Sequence, residues 1–137
     1  MTIVKPTTSR FQSSSEMATF FDQVQTNYLL ESPRVLGVER RGAERIEVTM
    51  PLNIVALDSS FRPLDLQYHA ITRNMSKTGV GLVTNSPIGH QYLRLNFNPF
   101  DGSTFEAIAR VIYCNEIGYY FQIGCEFILS DRKSTQV

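Results

Sequence analysis

The stretch RIEVTMPLNIVA at residues 45–56 is where the hydrophobic pattern of this chain takes a period of two. Its apolar side chains fall on alternate positions from Ile46 to Ala56, and most of the positions between them are polar. That alternation is typical of a β-strand with one buried face. Pro51 lies in the middle and lacks a backbone N–H, so it indicates a strand edge or a bulge. The stretch therefore predicts one long, half-buried strand.

Downstream of this strand, short apolar segments recur with turn-forming residues between them and no helical pattern. Five more strands are predicted, at residues 64–70, 80–84, 92–97, 105–114 and 118–129. Six strands at short spacing with no helix between them indicate an antiparallel barrel rather than a parallel sheet. The segment at residues 74–79 is interpreted as the turn that leaves the second strand.

Upstream of residue 45, the hydrophobic period becomes that of a helix. Residues 13–16 read SSSE, which fits a capping box with serine at the N-cap and glutamate at N3. Apolar side chains then follow at the spacing of one helical face: Met17, Phe20, Phe21, Val24 and Tyr28. We predict a helix from about residue 14 to residue 31, ended by Ser32-Pro33 and preceded by a flexible polar tail at residues 1–12. A helix this short gains little stability alone, so its apolar face must pack on something.

The composition excludes several kinds of function. The 137 residues suffice for one domain with a single core. Thirteen Lys and Arg balance thirteen Asp and Glu, so no overall positive field exists to hold DNA, RNA or an anionic membrane. No segment is long and apolar enough for a leader or a membrane span, so we expect a cytoplasmic protein without membrane insertion. Any anion site must therefore be local.

The residue types used in catalysis and metal binding do not form recognisable patterns. Cys114 and Cys125 lie in apolar stretches, which indicates reduced, buried thiols rather than a disulfide framework. His69 and His90 each stand alone, without a second ligand at metal-binding spacing. No Ser-His-Asp or Cys-His arrangement is evident. We therefore expect no enzymatic activity, no catalytic residue, no metal site and no cofactor.

Two short motifs carry polar chemistry at the ends of predicted strands. Residues 40–45, RRGAER, precede the first strand, and residues 74–79, NMSKTG, follow the second. Arginine offers a planar fork of donors for phosphates and a flat cation that can lie against a base. Arg45 and Asn74 are 29 positions apart (45 to 74), which is the length of one strand hairpin. Both motifs are therefore expected at the same end of the barrel.

Together the two motifs resemble those of the PilZ family, whose ligand-binding members carry Arg-x-x-x-Arg before the first strand and Asp/Asn-x-Ser-x-x-Gly after the second. The matching residues here are Arg41, Arg45, Asn74, Ser76 and Gly79. Residues 123–127, IGCEF, look like the last strand of the family. The resemblance implies an all-β fold with minor α: a six-stranded antiparallel PilZ-type β-barrel at residues 39–129. A tail and amphipathic helix at residues 1–38 would precede it, and a short tail at residues 130–137 would follow.

The resemblance also implies a function: a receptor or adaptor for cyclic di-GMP that signals to a partner protein and controls motility, biofilm, exopolysaccharide or virulence. By the same resemblance, Arg41 and Arg45 would bind phosphates and guanine, and Asn74 and Ser76 would contact a base. The arginine segment would close on the ligand. Gly79 would allow close approach of the backbone to the ligand, or a positive φ. The fold leaves the identity of the partner open.

Arg40 precedes the arginine motif and bears on how many molecules bind. In PilZ proteins, the residue at this place biases binding towards one nucleotide or an intercalated pair. An arginine adds a third planar cation, which can stack on the guanine of a second molecule and offset its phosphate charge. We therefore expect two molecules of cyclic di-GMP per chain. The competing interpretation is a solvated charge paired with Glu39 or Glu44.

The sequence leaves three further alternatives. A PilZ-like interaction module that binds no nucleotide is the main functional alternative, although such members characteristically lack both motifs. The N-terminal helix could replace the C-terminal helix that closes many PilZ barrels, or it could bind a partner or form a dimer. Tyr113 could stack on a base, but it shares strand parity with Phe105 and Val111 and is therefore expected in the core.

Overall fold

The computed structural model describes residues 11–28, 35–38, 44–98 and 104–131. Within them, one helix and eight strands follow in chain order: α1 Ser14–Tyr28, β1 Val35–Val38, β2 Glu44–Glu47, β3 Pro51–Leu57, β4 Pro63–Met75, β5 Gly79–Thr84, β6 Tyr92–Phe97, β7 Phe105–Ile117 and β8 Tyr120–Phe127. The predicted end of the helix at Ser32-Pro33 and the arginines Arg40 and Arg41 lie outside the described residues, as does most of each predicted tail.

Six of the strands close into a ring. They pair antiparallel in the order β3-β6-β7-β8-β5-β4, and β4 pairs again with β3. The predicted six-stranded antiparallel barrel with an N-terminal helix is therefore confirmed. The short strands β2 and β1 lie outside the ring, where β2 pairs with the end of β4 and β1 pairs with β2.

The long strand predicted at residues 45–56 is interrupted, which corrects that prediction. β2 ends at Glu47, whereas β3 begins at Pro51, whose partner on β4 is Ile71. Residues 48–50 lie between the two strands and belong to neither. The sequence indicated an edge or a bulge at Pro51, and this residue stands at the first position of a strand, where a missing N–H is tolerated.

A buried threonine holds this interruption in place. The hydroxyl of Thr72 accepts a hydrogen bond from the N–H of Met50 at 2.9 Å and donates one to the carbonyl of Val48. Thr72 is only 1% exposed, so water cannot replace its hydroxyl at those two backbone groups. The side chain of one residue therefore sets β2 as a separate strand beside the end of β4.

Several strands extend further than their apolar patterns predict. β4 runs to Met75, so Asn74 lies in a strand and the turn begins only at Ser76. β7 runs to Ile117 and is joined to β8 by the two residues Gly118 and Tyr119. Gly118 has a φ of 62°, the conformation that a type II′ hairpin needs at its first loop position and that glycine adopts most readily. The predicted turn at residues 115–118 is therefore a hairpin tip carried on longer strands.

The apolar face of α1 belongs to the barrel core. Met17, Phe20, Phe21 and Val24 are each at most 3% exposed. The ring of Phe20 stacks on the ring of Phe105, with 4.2 Å between the centroids. Burying an apolar side chain of this size stabilises by about 1.5–3 kcal/mol before entropy costs. The helix therefore covers the barrel, which decides between the two roles that the sequence left open for its apolar face.

The start of the helix has the predicted capping box. The hydroxyl of Ser13 accepts a hydrogen bond from the N–H of Glu16 at 3.1 Å, and the carboxylate of Glu16 accepts one from the N–H of Ser13 at 2.9 Å. Asp131, just after β8, accepts hydrogen bonds from the N–H of Ser14 at 2.9 Å and from its hydroxyl at 2.6 Å. These two hydrogen bonds link the first turn of α1 to the segment that follows β8.

The two cysteines are not bridged to each other. Cys125 is buried, as predicted, whereas Cys114 is only partly buried. Burial, together with the nearby Cys114, raises the pKa of the Cys125 thiol to about 12. Because that value lies far above neutral pH, Cys125 stays protonated and behaves as a small apolar core residue.

Candidate ligand-binding groove

A row of four residues crosses the outer face of the barrel from β4 to β7. Asn74 is the register partner of Gly81, Gly81 of Gly124, and Gly124 of Tyr113. Adjacent strands lie about 4.8 Å apart, so the two outer members of the row are separated by roughly 14 Å of sheet. Two glycines therefore form a floor without side chains between an amide and an aromatic ring.

Both flanking side chains lie over this glycine floor. A methyl group added at Gly81 would stand 3.0 Å from Oδ1 of Asn74, and one added at Gly124 would overlap the ring of Tyr113. The absence of β-carbons thus allows the amide and the ring to lie down on the sheet. Glycine inside a strand is otherwise unfavourable, and it marks a place where another group approaches closely. That signal is present in the sequence, where Gly81 and Gly124 lie inside predicted strands.

At Gly79 a side chain is excluded by a neighbouring strand, and not by a positive φ, which was one of the two explanations that the sequence suggested. A methyl group there would come within 2.5 Å of the carbonyl oxygen of Cys125 on β8. The close approach is thus between β5 and β8, and Gly79 does not have a positive φ. Contact between Gly79 and a ligand stays a prediction, although this residue does line the groove.

The two sequence motifs meet through their described members. Nη1 of Arg45 donates a hydrogen bond to Oδ1 of Asn74 at 2.6 Å. β2 makes this possible because its last residue, Glu47, is the register partner of Asn74. The predicted meeting of the motifs is therefore confirmed for this pair, while Arg40 and Arg41 lie outside the described residues. The contact leaves Nδ2 of Asn74 as a hydrogen-bond donor for another group.

Ser76 supports the turn between the motif residues. It is 1% exposed, and its hydroxyl accepts hydrogen bonds from the N–H groups of Thr78 and Gly79 at 3.1 and 3.2 Å. The N–H of Ser76 also donates to the carbonyl of Gly79 at 2.9 Å. In this geometry the Ser76 side chain stabilises the turn and does not line the groove. Direct contact of Ser76 with a base, expected from the sequence, stays a prediction.

Tyr113 lies at the surface, although the alternation of residues along its strand predicted that it would face the core. It is 43% exposed and lines the groove, so the expectation of a core tyrosine is wrong. The pairing of β7 with β8 shifts by one residue between Val111, whose partner is Cys125, and Tyr113, whose partner is Gly124. This β-bulge leaves an extra residue in β7 and reverses the alternation beyond it. Nothing in the apolar pattern of β7 announces the shift.

The groove built on this row has a volume of about 600 Å³. Besides the residues already described, it is lined by Thr78, Val80, Ile112, Cys125 and Glu126. Arg45 and Glu126 are the charged members of the lining within the described part of the chain. The carboxylate of Glu126 accepts a hydrogen bond from Nη2 of Arg110 at 2.6 Å, which offsets its charge. Among the described lining residues, the positive charge of the groove therefore comes from Arg45.

Within residues 11–28, 35–38, 44–98 and 104–131, no three His, Cys, Asp or Glu side chains gather closely enough to hold a metal ion. His69 makes a 2.7 Å hydrogen bond from its ring to the side chain of Asn53. The one described helix is too short and too polar to cross a membrane.

Comparison with known proteins places the chain in a family. A model of the PilZ domain matches residues 39–136. No curated protein sequence matches. Among solved structures, the PilZ domain with c-di-GMP of YcgR from Escherichia coli is similar, with a TM-score of 0.49 and 14% identity over 66% of this chain and 79% of that chain. Because the family model covers more than half of the chain, the protein belongs to the PilZ domain family.

Proposed function

We propose that this chain is a receptor for cyclic di-GMP that passes its signal to a partner protein. The observation that carries the proposal is the hydrogen bond between Arg45 and Asn74, one residue from each motif, at the edge of the groove. Membership of the PilZ family and the resemblance of both motifs to those of its ligand-binding members support it. A volume of about 600 Å³ is also within the range of small-molecule sites.

The groove offers a partner for each part of the ligand. The guanidinium of Arg45 binds a phosphate or the O6 and N7 atoms of guanine through paired N–H donors. Nδ2 of Asn74 donates to a base or a phosphate, because its Oδ1 is held by Arg45. The exposed ring of Tyr113 stacks on a base. The glycine floor lets the Asn74 amide and the Tyr113 ring lie against the sheet, so a base stacks above the ring and not on the backbone.

The remaining arginines complete the site in this proposal. Arg41 binds a second phosphate, and Arg40 stacks on the guanine of a second molecule, so that two molecules bind per chain. The segment at residues 39–45 changes conformation as its cations meet the phosphates, and the altered surface is what the partner recognises. The protein acts as a cytoplasmic binding module in the control of motility, biofilm or a related process. It has no catalytic role and no nucleic-acid partner.

Isothermal titration calorimetry with cyclic di-GMP tests the proposal. We expect saturable binding of two molecules per chain, and of one molecule by the Arg40→Leu variant. GTP serves as the control ligand, because it carries the same base and more phosphate charge without the cyclic arrangement, and it should bind far more weakly. A wild-type protein that binds no cyclic di-GMP would overturn the receptor function. One molecule per wild-type chain would overturn only the role of Arg40.

A second candidate function is a protein-interaction module that binds no nucleotide. It is favoured by the apolar tip of the β7–β8 hairpin, where Ile117, Tyr119 and Tyr120 are 53%, 92% and 57% exposed. Exposed apolar groups gathered in one place are typical of interaction surfaces. The same titration separates the candidates, because a pure interaction module would give no heat with cyclic di-GMP.

A further inference from the structure

Glu126 is an acidic residue in a groove that we propose for an anionic ligand. It lies on the outer face of β8, where its register partners are Gly79 on one side and Arg110 on the other. It lines the same groove as Arg45 and Tyr113, and its side chain is 52% exposed. A carboxylate near two phosphates weakens binding unless it makes a favourable contact of its own. Its position therefore calls for a specific partner on the ligand.

The carboxylate is oriented and has an oxygen to spare. Oε1 accepts the 2.6 Å hydrogen bond from Nη2 of Arg110. Among the hydrogen bonds between described side chains, Oε2 of Glu126 takes part in none. Gly79, on the groove side, has no side chain that could cover it. Arg110 thus orients the carboxylate and lowers the local negative charge, while Oε2 and the second lone pair of Oε1 remain as two adjacent acceptors.

Glu126 also lies within reach of a base held on Tyr113. It is two residues from Gly124 along β8, a distance of roughly 6.6 Å on a strand. The Tyr113 ring lies against Gly124, so a base stacked on this ring would lie over the part of β8 that precedes Glu126.

We propose that Glu126 selects guanine over adenine by accepting hydrogen bonds from the N1–H and the N2 amino group of a stacked base. This proposal rests on the proposed binding of cyclic di-GMP. A carboxylate can only accept hydrogen bonds, and guanine offers two adjacent donors on this edge. Adenine presents its N1 lone pair there instead, which the carboxylate repels. Arg110 acts as a positioning residue that holds the carboxylate in place.

The Glu126→Gln variant tests this assignment because glutamine has the same shape but one acceptor and one donor. We expect its affinity for cyclic di-GMP to fall about tenfold, the scale of a lost two-bond base contact. Its affinity for cyclic di-AMP should rise, since the glutamine carbonyl can accept from N6 and its amide can donate to N1. Calorimetric titration of both proteins with both nucleotides measures the ratio of the two affinities.

The control is Glu106→Gln, which removes the same charge from β7 at an exposed position whose register partner is Asn96 on β6, away from the groove. It should leave the ratio unchanged. Wild-type binding of cyclic di-GMP with an unchanged or higher guanine preference in Glu126→Gln would overturn the role of Glu126 alone. Tighter binding of both nucleotides by Glu126→Gln would also overturn it, because it would show simple repulsion of phosphate. Failure of the wild-type protein to bind either nucleotide would overturn the receptor function and this role with it.

Discussion

The helix-covered core and the groove are built from the same sheet in opposite ways. Under α1, large side chains fill the space, and Met17, Phe20, Phe21 and Val24 are at most 3% exposed. In the groove, Gly81 and Gly124 have no side chains, and the side chains of Asn74 and Tyr113 lie over them instead. The first region is stabilised by apolar burial, and the second uses missing β-carbons to position the two side chains that we propose contact the ligand. Stability and binding are thus assigned to different residues, and each assignment can be tested separately.

The largest effect is expected from Phe20→Ala in the helix. The change removes a ring that is 3% exposed and stacked on Phe105, so the free energy of unfolding should fall by about 3–5 kcal/mol. Urea denaturation measures this loss, and Thr26→Ala, on the exposed side of the same helix, is the control. Under conditions where the variant remains folded, its affinity for cyclic di-GMP should equal that of the wild type. A large loss of affinity would show that the two regions are coupled.

Arg45→Ala is expected to weaken binding without changing stability, in contrast to Phe20→Ala. Binding of cyclic di-GMP should weaken by about 2 kcal/mol, because a charge-assisted contact with the ligand and the 2.6 Å contact with Asn74 are both lost. The melting temperature without ligand should hardly change, since Arg45 lies at the surface of the barrel. Arg62→Ala, an exposed arginine before β4 that does not line the groove, is the matched control for lost positive charge. Wild-type affinity in Arg45→Ala would contradict the site assignment.

Tyr113→Leu should cost about 1–2 kcal/mol of binding free energy through the loss of base stacking. Leucine keeps apolar bulk over Gly124, so the unfolding curve should stay close to that of the wild type. Tyr119→Leu, at the hairpin tip and outside the groove, is the control and should not change affinity. Titration calorimetry measures both variants. If Tyr113→Leu bound cyclic di-GMP as tightly as the wild type, the proposed stacking of Tyr113 on a base would be wrong.

The smallest effect is expected from Ser76→Ala, which should alter both stability and binding. Its hydroxyl accepts hydrogen bonds from two backbone N–H groups in the turn between β4 and β5. We expect both the free energy of unfolding and the binding free energy to weaken, by about 1 kcal/mol each. Urea denaturation and titration of the same preparation test this. A loss of binding without a loss of stability would support direct contact of Ser76 with the ligand.

The fold was predictable from the sequence to the extent that side-chain parity was regular. Alternation from Ile46 onward indicated strands, and the helical spacing of Met17 and Phe20 indicated a covering helix, because burial of one face imposes these periods. The interruption after Glu47 was not predictable, since it depends on the hydroxyl of Thr72, a residue 25 positions later (47 to 72). Local patterns cannot report a contact between distant parts of the chain.

The site residues that belong to the two sequence motifs were predictable. The residues that only strand pairing brings to the groove were not. Arg45 and Asn74 could be expected to meet because one hairpin separates them. Tyr113 reaches the groove through the pairing of β7 with β8, which carries a one-residue shift, and Glu126 reaches it through the pairing of β8 with β5. Gly81 inside β5 and Gly124 inside β8 were the available signal for a groove floor. The sequence marked the floor, but it did not show which side chains would border it.

The bulge in β7 affects how this chain should be aligned with others. Before it, the partly buried Val111 packs against the barrel core, and after it, Tyr113 is exposed, although residues two apart on a regular strand share a face. An alignment without a gap against a strand that lacks the extra residue would pair Tyr113 with an interior position. The gap belongs between residues 111 and 113. Placed there, it would bring groove-facing positions into the same column and make their aromatic or non-aromatic character comparable between chains.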